Sequence, residues 1–224
     1  MNRILVAAAA LCLALSTGAR ADLPGEGFRN HLVIGLGIGV DAISPSEYNG
    51  LTDVLSGGNA SVRASTALHV PVSLTYYFPY YLQLRTGAEA AYFFPSGMVG
   101  GKSATNYGGI VEVPILLGGH YALLDNRLIL ELGLGPGIAV YTSAGLNIDN
   151  NDQLYGDVSV GFDDELKGQF FVTPGFSIGV ELGYRVLTSS ALHTSSGASP
   201  GATLPVHLDM SGFRAVLQFG FVAF

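Results

Sequence analysis

Hydrophobic and polar positions alternate with a strict period of two along much of this chain. Between Val62 and Phe78 the even positions read Val62, Ala64, Thr66, Leu68, Val70, Val72, Leu74, Tyr76 and Phe78. The odd positions read Arg63, Ser65, Ala67, His69, Pro71, Ser73, Thr75 and Tyr77. A strand sends alternate side chains to opposite faces, so one face of this segment is oily and the other polar. At roughly 3.3 Å per residue it outruns most soluble strands and is long enough to cross a bilayer at a barrel's tilt.

The pattern predicts eight strands, over 31–42, 62–78, 81–94, 107–123, 127–142, 154–162, 169–187 and 205–224. Long Ser/Gly/Asn-rich segments (43–61, 95–106, 143–153, 188–204) alternate with short turns at Pro79-Tyr80, Asp125-Asn126 and Asp163–Gly168. Such asymmetry, with apolar rows outside and polar rows inside, predicts an all-β fold: an eight-stranded antiparallel up-and-down transmembrane β-barrel. An even strand count puts both termini on one side. In the last strand Leu208 and Met210 share one face, but Phe213, Leu217, Phe219 and Phe221 occupy the other. A bulge near Ser211-Gly212 would account for that change of parity.

Residues 1–21 stand apart. One early cation, Arg3, precedes an apolar run from Ile4 to Leu15, and Ala19-Arg20-Ala21 offers a cleavage signal. This reads as a secretory signal peptide removed before Asp22, leaving 22–224 as one barrel domain. The single Cys12 goes with the leader, so the mature chain has no disulfide and no cysteine metal site. Eight bases then face seventeen acids, a net charge of −9 that argues against a nucleic-acid partner. No run of eighteen apolar residues follows the leader, yet mean hydropathy is +0.41. A lipid-facing barrel reconciles the two, since closure leaves no unpaired backbone in lipid.

Val111-Glu112-Val113-Pro114-Ile115-Leu116-Leu117, a tight turn, then Leu132-Gly133-Leu134-Gly135-Pro136-Gly137 resembles a strand pair of small outer-membrane barrels, the OmpA-like and OmpW-like families. The resemblance implies residence in a Gram-negative-type outer membrane, contact with its lipid and lipopolysaccharide, and insertion by the barrel-assembly machinery. Phe224 resembles the terminal aromatic of the assembly signal, although Gly220 and Gln218 depart from its alternation. A monomer without cofactor is the expectation.

The inward charges form the candidate site: Arg63, Arg85, Glu89, Glu112, His120, Arg127, Glu131, Glu181 and Arg185, with His69 beside them. Eight strands enclose a space that side chains can fill. Opposite charges there are expected to pair, because a lone buried charge costs several kcal/mol. This predicts a plugged, salt-bridged interior and a non-enzymatic protein acting through its wall and external loops, in surface contact or reinforcement. A small channel is the alternative. Pro71, Pro114, Pro136 and Pro174 each remove a ladder donor, which would suit a lateral path for apolar solutes.

Other motifs weigh less. Gly97–Ser103 imitates a P-loop, but Ser96 stands where its first Gly belongs. Gly35, Gly37 and Gly39, like Gly133, Gly135 and Gly137, follow strand period and line one face. Asp149–Asp152 lacks the glycine of a calcium loop. His193-Thr194-Ser195 is similar to the His-x-Ser pair of lipid A deacylases, which would make His193 a base and Ser195 a nucleophile. The family's Asn and Glu are replaced by Ser196 and His207.

Overall fold

The computed structural model describes residues 28–43, 65–93, 96–99, 102–105, 107–147, 151–156, 158–189, 193–194, 207 and 209–223. Eight antiparallel strands close into a barrel: β1 His31–Ile43, β2 Thr66–Tyr77, β3 Leu82–Phe93, β4 Tyr107–Leu123, β5 Leu128–Asn147, β6 Ser159–Thr173, β7 Phe176–Val186 and β8 Gly212–Val222. Each pairs with its neighbour in sequence, and β8 returns to β1 through Val33–Val222 to Ile43–Gly212. Three short turns lie at one end; the longer connections lie at the other.

Burial follows the sequence period, with the sense inverted from a soluble protein. Along β2 the odd positions, from Ala67 to Tyr77, are buried, while Leu68, Val70, Val72 and Leu74 are exposed. Buried positions elsewhere are rich in charge, and the wall carries Leu132, Leu134, Val180, Leu182 and Val186. This is the arrangement a hydrocarbon solvent demands: apolar side chains face outward, and closure leaves no open sheet edge.

Three expectations need correction. The sixth strand is Ser159–Thr173, and its turn falls at Pro174-Gly175, not at 163–168. Asp163, Glu165 and Lys167 looked like turn residues because they are polar; they are polar because they face the barrel interior. The bulge near Ser211-Gly212 is not needed. The Thr188–Asp209 bridge continues the register of Arg185–Gly212, and Met210 is buried in the same row as Arg214, Val216 and Gln218. Finally, β5 runs on to Asn147 beyond the barrel and pairs there with Asn151–Gly156, which pairs with His193–Thr194. A separate hairpin, Ser96–Val99 with Lys102–Thr105, stands between β3 and β4. The P-loop look-alike falls on this hairpin, and no helix follows it.

The glycine rows serve close approach. Gly118 of β4 faces Gly133 of β5, and a Cβ added at Gly118 would overlap the Leu132 carbonyl oxygen and come within 2.8 Å of Gly133 Cα. Backbone cannot yield as a side-chain tip can. Gly118→Ala is therefore expected to lower barrel stability by about 1–3 kcal/mol, the range for overpacking. Urea midpoints in detergent, followed by far-ultraviolet circular dichroism, test this. An unchanged midpoint would mean that the two strands spread apart there at no cost.

Candidate functional site

Inside the barrel, charge lies between two apolar layers. At the short-turn end Phe28, Val33, Tyr77, Ile129, Phe171 and Val222 form a buried cluster. Phe28 precedes β1, and its ring centroid sits 4.8 Å from those of both Tyr77 and Phe171. At the long-loop end Ile43, Phe93, Ile110, Leu187 and Met210 are buried. Strand period builds the middle layer, because most of its inward positions bring a polar side chain to the axis, with Leu116 and Val216 among them.

Arg214 is the most connected cation. Its Nη1 reaches Glu89 at 3.0 Å and Asp163 at 3.1 Å, its Nε lies 3.2 Å from Glu181, and its Nη2 lies 3.7 Å from Glu165. Arg85 binds Glu181 at 2.8 Å and Glu89 at 3.1 Å, and also contacts Glu165. Arg185 donates to Asp41 at 2.6 Å and Glu112 at 3.1 Å. Lower down, Lys167 Nζ meets Glu131 at 2.8 Å, and the Tyr77 hydroxyl donates to Glu131 at the same distance. His69 bridges the network, with Nδ1 3.1 Å from Asp41 and Nε2 3.3 Å from Glu89. The Nδ1 contact with Asp41 is a hydrogen bond, while Nε2 only lies near Glu89.

Of the residues singled out in the sequence, Arg85, Glu89, Glu112, Glu131, Glu181 and Arg185 all take part in these pairs. His120 is buried at the short-turn end, edge-on to the Tyr77 ring at 5.0 Å. Arg127 is a correction. It lies in the exposed turn after Asn126, one residue before β5 begins, so strand alternation does not yet govern it. Arg63 lies outside the described residues, as do Ser195, Phe224 and the leader. The inward set expected from sequence lacks Asp163, Glu165 and Lys167, whose polarity resembles a turn, and Arg214, whose parity with Gln218 carries the signal.

One charge breaks the outer face. Among the described barrel-strand residues, Asp164 is the acid in an outward row, between Phe162 and Leu166, and its Oδ1 accepts from the Tyr184 backbone N–H at 3.0 Å. No helix of the described residues is long and apolar enough to cross a membrane, and no group of metal-ligating side chains is found among them.

No protein-family model and no curated protein matches this chain. Solved structures do. The outer-membrane protein OprG of Pseudomonas aeruginosa superposes with a TM-score of 0.58 at 13% identity, over 88% of this chain and 98% of that one. Neisserial surface protein A gives 0.53 at 10% identity, over 88% and 99%. The chain has the fold of the small eight-stranded outer-membrane β-barrels.

Proposed function

We propose that this is a non-enzymatic, monomeric outer-membrane protein. Its activity resides in the lipid-facing wall and external hairpins, in surface contact or in reinforcing the membrane. The observation that carries this reading is the filled interior. Buried ion pairs occupy the axis, and apolar clusters cover them at both ends. A pore needs binding weak enough for an ion to leave. Side chains locked to one another, with each of the seven described interior carboxylates lying on an Arg, Lys or His side chain, offer no such route. The outer-membrane setting draws on the apolar wall and the likeness in fold, and implies contact with membrane lipid and lipopolysaccharide.

A second reading has its own support. Three ladders are interrupted beside prolines. The β1–β2 pairing skips Gly37 and Ile38 against Val70 and Pro71. The β3–β4 pairing skips Gly87 and Ala88 against Val113 and Pro114, and β4–β5 skips Ile115 and Leu116 against Gly135 and Pro136. A wall with missing ladder bonds is easier to part, which favours sideways passage of small apolar solutes into lipid.

Purified protein in planar bilayers is expected to give no conductance steps above background. Liposomes carrying it are expected to take up a small apolar ester no faster than liposomes carrying boiled protein. Discrete steps would overturn the sealed interior. Fast ester uptake without steps would favour the lateral route.

A further inference from the structure

Arg127, displaced from the barrel interior, belongs to a second place with chemistry of its own. The turn Leu124–Arg127 and the turn after β6 enclose a recess of about 550 Å³ at the short-turn rim, lined by Leu124, Asp125, Arg127, Val172, Thr173 and Pro174. The first turn is tied to the end of β6: the Phe171 N–H donates to the Arg127 carbonyl at 2.7 Å. Leu124, Asp125 and Asn126 are all left-handed, with φ of 52°, 54° and 65°. Asn and Asp tolerate that region, but a leucine does so only under strain. The turn is thus held in one shape that brings an acid and a base to the same recess. Neither Asp125 nor Arg127 makes an ion pair with a described residue, and both are exposed. Just above lies the apolar wall, with Leu130, Phe170 and Val172 exposed.

One anion-binding fork, one carboxylate and an adjoining oily surface match an amphiphile with a phosphate, an ammonium and acyl chains. We propose that this recess holds an amine-bearing phospholipid headgroup. Its phosphate lies on the Arg127 guanidinium, its ammonium on the Asp125 carboxylate, and its chains along Val172 and Phe170. Arg binds phosphate through paired donors, and an ammonium is a compact charge that a single carboxylate can hold. The inference rests on the outer-membrane reading above, since the short turns of such barrels lie on the periplasmic side, at the phospholipid leaflet. An anionic headgroup would gain the arginine but meet the aspartate as a like charge, so the pair selects a zwitterion.

The test is native mass spectrometry of the folded barrel, released from micelles doped with equal phosphatidylethanolamine and phosphatidylglycerol. Wild type is expected to retain the ethanolamine lipid over the glycerol lipid by about tenfold, the scale of one charge-assisted hydrogen bond. Asp125→Asn should abolish that preference, and Arg127→Gln should lower retention of both lipids. Each variant is checked for the mobility difference between unheated and boiled samples. A folded barrel holding both lipids equally, or a preference that survives Asp125→Asn, overturns the site alone. A water-soluble chain that holds no lipid overturns the membrane reading and the site with it.

Discussion

Replacing Arg214 with methionine is expected to destabilise the barrel by about 3–5 kcal/mol, the range for removing one partner of a buried charge pair. The side chain reaches four carboxylates, Glu89, Asp163, Glu165 and Glu181. Three of these also touch Arg85, which must then hold them with help only from His69 at Glu89 and Gln218 at Glu181. Methionine fills much of the same volume, which separates lost charge from lost packing. Arg214→Lys should fall between wild type and Arg214→Met, because a single ammonium cannot present donors to four carboxylates at once. Adding Asp163→Asn to Arg214→Met should recover part of the loss, since it removes one of the stranded charges. The chain contains no tryptophan, so urea unfolding is followed by circular dichroism and by gel mobility without boiling. If Arg214→Met stays within about 1 kcal/mol of wild type, the interior carboxylates are solvated and the network is not what keeps them buried.

The same arginine marks where sequence reading stops. Alternation along β3 places Arg85 and Glu89 inside, because a lipid-facing wall lets only one parity be polar. Asp163, Glu165 and Lys167 obey that alternation equally well. They were lost because three charged residues among Asp164 and Gly168 imitate the composition of a turn, while Pro174-Gly175, the actual turn, sits between two apolar runs. Asp164 sharpened the illusion by putting a fourth charge on the outer parity, where strand logic expects lipid. Arg127 failed for a different reason. Period two has no phase at a turn, and one residue decides between barrel axis and membrane rim. Which carboxylate meets which arginine could not be read at all, since those pairs join residues as far apart as Asp41 and Arg185 and depend on barrel stagger.

Phe28 is expected to be the other costly position, although it lies outside every strand. Asn30, with φ of 57°, takes the left-handed conformation that asparagine tolerates. Its N–H donates to the Tyr77 carbonyl at 2.6 Å, which fixes the approach to β1. That leaves Phe28 buried at 2% exposure, with its ring against His31, Tyr77 and Phe171, the first at 4.7 Å. The ring covers the end of the barrel beneath Tyr77, whose hydroxyl binds Glu131, which in turn holds Lys167. Phe28→Ala should cost about 3–5 kcal/mol, as truncation of a buried phenylalanine does elsewhere. Loss of the ring also admits water to the Tyr77–Glu131–Lys167 chain. Amide exchange at Tyr77, Ile129 and Phe171 is therefore expected to rise more than at Met210 or Ser159 near the other end. Phe28→Leu, which keeps an apolar cover, should lose less than half as much stability and leave the exchange gradient near wild type. Uniform acceleration along all strands would mean that Phe28 only adds general stability. Unchanged stability and exchange in Phe28→Ala would mean that the residues before β1 are not a cover for the ion pairs.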